Sequence, residues 1–363
     1  MVSDAETDAA MHERWEQEGC AMNKPDRACG VSMVSAALAL MLAATLAFAR
    51  PVSASGWSSA NALPVPLQNH VAVASGNYLY IAGGLNGTDQ NGVYSALVNT
   101  TGVLGAWRTL PPLPEPLLNH AGVAQSGHLV ILGGQRSTGV FPTVYTAAIQ
   151  TGGGLSAWAT TTPLPQPLYD LAAVAAGGYV WSLGGFGVDT RPRSVVYRAA
   201  QSGGTLGAWT TTTPLPQRLG EMGAALANGH VYVVGGRGAN GIPQATAYMA
   251  PIGAGGALGA WVKLPSLPQT RWDPGVVAAG GFLWAIGGYT RTASNSVTQT
   301  NTVYRAPIHA NGTIGAWQSV LPLPGKVAEH TVTAVRGFLF VTGRKVGFVD
   351  GSTVIYDALI AGL

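Results

Sequence analysis

Six tryptophans, at positions 57, 107, 158, 209, 261 and 317, stand 50 to 56 residues apart. In the same rhythm a Gly pair begins at 83, 133, 184, 235 and 287, with Gly343 as a degenerate sixth copy. Tyrosines follow at 94, 145, 197, 248, 304 and 356. A period near 50 with several short apolar runs per unit marks a propeller. The expected fold is all-β, a six-bladed β-propeller over residues 56–363.

The third unit shows the four strands of a blade. Leu171–Ala176 reads as innermost, Tyr179–Gly185 as second, Ser194–Ala200 as third and Leu206–Thr211 as outermost. Innermost runs are Ala, Val and Gly because strands crowd near the axis. The Gly pair ends the second strand where the backbone needs positive φ or close approach. Trp and Tyr are rigid fillers for the wide outer gaps between blades. Leu-Pro steps stiffen the crossing to the next blade. The propeller opens on a lone outermost-type segment, Gly56–Pro64, and ends on a third-strand type, Ser352–Leu363. The N-terminal strand is therefore expected to complete the last blade and leave no free inner edge.

The Gly pair, the following Tyr and the later Trp resemble the kelch repeat family, whose members are β-propellers. The resemblance covers residues 56–363. The Tyr-to-Trp spacing is longer than the family's: Asn99–Ala106 is inserted between Tyr94 and Trp107, and similar inserts precede Trp209, Trp261 and Trp317. The chain is therefore kelch-like. The family includes protein-binding adaptor domains, oxidases and sugar-converting enzymes, so the fold selects no activity. The Tyr–Cys pair of a copper-radical oxidase is missing, since the propeller region has no Cys.

Aligned without gaps, the repeats bring Asn69, Asn119, Asp170, Glu221, Asp273 and Glu329 into one column at the start of the innermost strands. All six carry a side-chain oxygen, and the four acids are among only nine from Gly56 onward. The next column reads His70, His120, Leu171, Met222, Pro274 and His330. Around a closed ring, His330, His70 and His120 are neighbours. In a four-stranded meander, the connection entering the innermost strand and the one between second and third strands emerge on one face. That face therefore adds outer cations: Arg136, Arg191, Arg193, Arg237, Arg291, Arg344 and Lys345 from one set of loops, and Arg218, Arg271 and Lys326 from the other.

Several readings of the ring stand open. Asn and Asp at turn-to-strand junctions bond local backbone N–H groups, a structural role. A run of acids on successive blades is repulsive without a partner, which nearby Arg can supply. Six oxygens suit a hard cation such as Ca²⁺ in principle, although a six-bladed channel is wide for direct coordination. The His trio suits Zn²⁺ in number, but a solvated or backbone-bonded role fits three blades' separation better. No cofactor is expected. Walker loops, Gly-x-Ser-x-Gly elbows and zinc-type Cys clusters are absent from the sequence.

Charged residues make up 10% of the chain, well under the ~25% of an average soluble protein. From Gly56 onward, 15 Lys/Arg are spread singly, so no basic stripe for nucleic acid exists. Residues 31–49 form a 19-residue uncharged run, long enough to cross a bilayer as a hydrophobic helix. Lys24 and Arg27 precede it, which favours a cytoplasmic N-terminus and an exported bulk. The run reads as a signal peptide or an uncleaved anchor. Residues 1–30 are then a cytoplasmic tail, or an artefact of a true start at Met22, and residues 50–55 a linker. Cys20 and Cys29 both precede the run, leaving the exported part without disulfides.

Three functions follow as expectations. The first is an exported or membrane-tethered binding module that takes a protein or glycan at the charged channel mouth. The second is an enzyme on a small polar or sugar substrate. There Glu221 or Asp170 is the general acid or base, His120 or His330 a proton partner, and an Arg the anion anchor. The third is an accessory subunit of a membrane complex.

Overall fold

The structure is a computed structural model that describes residues 56–291, 296–345 and 351–363. It is an all-β propeller of six blades. The first blade runs Val71–Ser75, Tyr78–Ala82, Val93–Leu97 and Arg108–Leu110, each strand antiparallel to the next. The later blades repeat this order. The outermost strand is shorter than the sequence suggests: in the third blade Leu206–Thr211 divides into Thr205–Leu206 and Thr210–Thr211, both against Val196–Ser202. In the sixth blade, Ser58–Ser59 pairs outermost with Ile355–Leu359. Residues 31–49, and the hydrophobic helix expected there, lie outside the described residues. Among the described residues no helix is long and apolar enough to cross a membrane.

Innermost strands of consecutive blades touch all the way round, and Val71–Ser75 of the first meets Thr331–Val335 of the sixth. Small residues make this possible. A Cβ on Gly275 would lie 2.1 Å from Val332 Cγ2 on the next inner strand. The apolar core is six wedges between blades rather than one mass. One joins Val73 and Tyr80 to Leu129, Ile131 and Tyr145 of the second blade. Another joins Leu79 and Ile81 to Phe340 and Ile355 of the sixth. Burying each such side chain contributes roughly 1.5–3 kcal/mol.

The repeating rhythm of Trp has a polar reason as well as a filling one. The indole N–H of Trp158 donates to Pro111 O at 2.9 Å, Trp209 to Thr162 O at 3.0 Å and Trp317 to Pro265 O at 2.8 Å. Trp57 likewise reaches Leu321 O at 3.0 Å. Each bond ties an outer strand to the preceding blade. The inserts between Tyr and Trp also lean backward. Gly153 sits so close to the Tyr78 ring that a Cβ there would lie 2.3 Å from it, and Ser95 Oγ donates to Gly153 O at 2.8 Å. The longer spacing thus builds an extra blade-to-blade contact.

Candidate functional site

The six ring residues share one unusual backbone state. Asn69, Asn119, Asp170, Glu221, Asp273 and Glu329 have φ between 49° and 55°. The left-handed region suits Asn and Asp better than other non-Gly residues, and Glu has no such aptitude. The twist turns each peptide along the circumference. Asn119 N–H donates to Asn69 O (3.1 Å), Asp170 to Asn119 (2.8 Å), Glu221 to Asp170 (2.9 Å) and Asp273 to Glu221 (2.7 Å). Asn69 N–H closes the circle on Glu329 O at 3.0 Å. The remaining link differs, for Glu329 N–H donates to the Asp273 carboxylate. The side chains are therefore not local caps. The main chain bonds from blade to blade and leaves the side chains to line a central channel of about 840 Å³, part of it open to solvent.

The second column forms a layer of plugs. Each residue packs on the first Gly of the preceding blade's pair. A Cβ on Gly83 would lie 2.7 Å from the His120 ring, one on Gly184 2.8 Å from Met222 Cε, and one on Gly287 2.9 Å from the His330 ring. His70, His120 and His330 are buried, which corrects the solvated reading. His330 Nε2 donates to Ile286 O at 3.1 Å, and His70 Nε2 lies 3.0 Å from both Thr342 Oγ1 and Thr331 Oγ1. Burial holds all three imidazoles neutral, pushing their pKa down to about 3, 4 and 4 for His70, His120 and His330. Among the described residues no group of three His, Cys, Asp or Glu side chains is placed to hold a metal ion.

Above the ring lies a third tier that repeat arithmetic did not single out. The residue before each ring position pairs with the residue after the Gly pair: Tyr169 with Phe186, Trp272 with Tyr289, and Gln68 with Leu85. On the third and fifth blades this tier is aromatic, and on the fourth it is Gly220 with Arg237. Tyr169 and Phe186 have ring centroids 5.4 Å apart, as do Trp272 and Tyr289. The Arg237 guanidinium sits between these pairs, 4.6 Å from the Phe186 centroid and 5.8 Å from that of Trp272. Its Nε is 2.9 Å from Glu221 Oε2. Glu329 is more fully held: Lys345 Nζ at 3.0 Å, Tyr289 OH donating at 2.8 Å, and Asn69 Nδ2 donating at 3.1 Å.

Of the expected outer cations, Arg237 and Lys345 pair with ring acids, Glu221 and Glu329, among the described residues. Arg136 pairs with Glu115 at 3.2 Å and covers Phe141, while Arg193 pairs with Asp189 at 2.7 Å. Arg344 donates to Lys326 O at 3.2 Å. Arg271 is no surface cation: it is buried and covers Tyr304. Arg291 ends the loop strand Tyr289–Arg291.

The acids are not electrostatically equal. Burial pushes the Asp170 carboxyl well above the usual range, and Glu221 and Asp273 push it further. Asp273 is raised likewise by burial and then by Glu329. Burial raises Glu221 to about 7 despite the opposing pull of Arg237. Burial beside Glu329 also raises the Tyr289 phenol. The common cause is burial of like charges on successive blades.

No family model matches the chain. Over 135 residues it is 28% identical to Kelch-like protein 35 of Mus musculus and 30% identical to Kelch-like protein 35 of Homo sapiens. Each match takes in 36% of this chain, and the chain spans about a fifth of the length of these curated relatives. A solved structure of YjhT superposes with a TM-score of 0.67 at 15% identity, over 82% of this chain and 95% of that one. At that identity the likeness is one of fold.

Proposed function

The chain is a kelch-like six-bladed β-propeller, and from that premise we propose a binding module whose protein partner docks on the mouth of the channel, over the third to fifth blades. One observation carries the reading. Glu221 and Glu329 hold φ near 52°, where Gly fits best and Glu has no local advantage. A local rule broken at a cavity mouth points to a role for the side chain. Support comes from exposed Val188, Ile242 and Val297, which stand on loops of those three blades beside the charged mouth. Phe186 and Trp272 already face Arg237, so fewer aromatic faces are left for the glycan alternative.

Glu221→Gly tests this, since Gly satisfies the backbone. The melting temperature should change little, while capture of a crosslinked partner by the full chain should fall at least tenfold. Unchanged capture by a stable Glu221→Gly protein overturns the reading.

A proton-transfer enzyme is the second reading, favoured by Glu221, whose pKa burial raises to about 7 at the channel mouth. His120 and His330 lend it no help, because their rings are packed on Gly83 and Gly287. In the favoured reading residues 31–49 export the propeller and, where uncleaved, tether it to the membrane. Protease added to sealed cells should digest it, and full protection rejects export. Ser58–Ser59, in the same reading, fastens the ring and keeps the mouth rigid.

A further inference from the structure

We propose that the face of the propeller opposite the channel mouth lies against an anionic lipid surface. This goes beyond the docking assigned to the mouth and stands on the propeller's own charge and topology. Each innermost strand starts at the mouth, and the second and third strands alternate in direction after it. The turns between first and second strands and the connections after third strands therefore share the opposite end, the underside. The two ends differ in charge. From Gly56 onward, every acid among the described residues belongs to the ring or to a mouth loop except Asp357. Asp357 is buried and accepts from Ser58 Oγ at 2.8 Å. The underside keeps cations. Arg336 stands exposed on the turn after Thr331–Val335. Arg198 donates to Gly255 O on the connection after the third strand of the fourth blade. Arg305 covers the ring of Phe282, which opens a second strand, at 4.5 Å. Exposed Arg108 opens the outermost strand of the first blade. Cations without acids draw anionic headgroups within a Debye length.

Two further observations point the same way. Arg336 has φ 52°, at a turn where the other blades place Gly76, Ser126, Gly177, Asn228 and Gly280. Left-handed backbone suits Gly and gives Arg no local advantage, so the charge is what the turn gains. The chain also enters the propeller from this side. Ser58–Ser59 runs antiparallel to Ile355–Leu359, with Ser58 opposite Asp357, so Trp57 and Gly56 lie toward the underside. In the tethered reading, residues 50–55 span at most about 20 Å. A linker that short, entering from below, turns the underside rather than the mouth to the bilayer. Half-buried Tyr78, Tyr179, Phe282 and Phe338 open second strands there and supply the rings that suit a headgroup layer. Nucleic acid suits less, because singly spaced cations form no continuous track.

The test follows amide exchange by mass spectrometry. The full chain is reconstituted in vesicles of phosphatidylcholine alone or with about 30% phosphatidylglycerol. Exchange across the turn Val335–Phe338 should slow at least about threefold on the anionic vesicles, while the mouth loop Gly187–Arg191 keeps its rate. About 0.5 M salt should abolish the difference. So should Arg336→Gly with Arg108→Thr, which should fold, since Gly177 and Thr210 hold those positions in the third blade. If that variant does not fold, the salt response of the wild type decides. Equal exchange on both vesicles, slowing at the mouth instead, or slowing that survives salt or the folded double variant overturns the proposal. Equal slowing by a lipid-free DNA duplex assigns the face to nucleic acid and overturns it too. An alkaline wash that strips the protein from both vesicles rejects the tether alone, and the exchange comparison still judges the face. Partner capture lost in Glu221→Gly bears on the mouth and leaves this face untouched.

Discussion

The two sides of the ring use one backbone for opposite chemistry. On the third to fifth blades, Asp170, Glu221 and Asp273 lie over Leu171, Met222 and Pro274, under Arg237 framed by the aromatics of the third and fifth blades. On the first and second blades, Asn69 and Asn119 lie over His70 and His120, and Gln68, Leu85 and Leu118 replace the aromatics. The sixth blade joins them, an acid over a histidine. Backbone φ barely changes across the two seams, and the tangential bond persists at one, from Asp170 to Asn119, while at the other Glu329 N–H donates to the Asp273 carboxylate. Geometry is therefore a common platform, and charge is the variable. One side holds acids that resist losing protons, and the other holds imidazoles that resist gaining them.

The severest challenge to this picture is whether the sides can come apart. Deleting Gly56–Ala62 removes the Ser58–Ser59 pairing and the Trp57 bond to Leu321. A closed ring should respond as a unit, with one calorimetric transition lowered by on the order of 10 °C or more. Two separated transitions would show that the halves are independent domains. An unshifted single one would show that the N-terminal strand fastens nothing.

Opposite pH responses give a finer cut. Glu221 titrates at about 7 in the fold against an ordinary 4.5. Between those values the fold holds a proton that the unfolded chain has lost. Its contribution is therefore full below about pH 4.5 and lost as pH rises through 7. The histidines run the other way. Their stability is full above about 6.5 and lost as pH falls through 4 to 3. Glu221→Gln should gain about 1–2 kcal/mol over the wild type at pH 8 and nothing at pH 4. His330→Leu, which imports the residue of the opposite side, should reduce the loss below pH 6. Urea titrations from pH 4 to 8 check both, and parallel pH profiles for the two variants would erase the distinction.

The smallest effect comes from moving the boundary. Asn119→Asp keeps a φ-tolerant residue and extends the acidic run by one blade, next to Asp170. A loss of about 0.5–1 kcal/mol at pH 8 that vanishes at pH 4 is expected. A pH-independent loss would mean that Asn119 acts through its amide rather than its neutrality.

Much of this was legible in the repeat. The six blades, the Gly pairs and the ring column follow from alignment alone, because each unit meets the same steric demand. What alignment missed has physical reasons. Asn69 and Asp170 read as turn caps because composition does not reveal φ, and only the inter-blade bonds disclose why the twist exists. The histidines read as solvated or backbone-bonded; His330 is backbone-bonded, and the solvated half fails because burial in a plug layer depends on the neighbouring blade. Arg193 and Arg237 look alike in sequence, yet the Asp189 in one loop holds its Arg away from the channel. Tyr169, Phe186, Trp272 and Tyr289 occupy columns adjoining the ring and the Gly pair. A search of flanking columns for units in which both columns are aromatic would have found them, in the third and fifth units.

The tangential circle of peptides has one more consequence. Five of its six links consume a main-chain N–H and a carbonyl together, so little of the backbone is left to greet a ligand. In the binding module proposed above, recognition would be written in side chains alone, as a six-letter word, Asn-Asn-Asp-Glu-Asp-Glu, on one repeated backbone. Such a word can be rewritten most freely with Gly, Asn or Asp, the letters that the left-handed φ accepts.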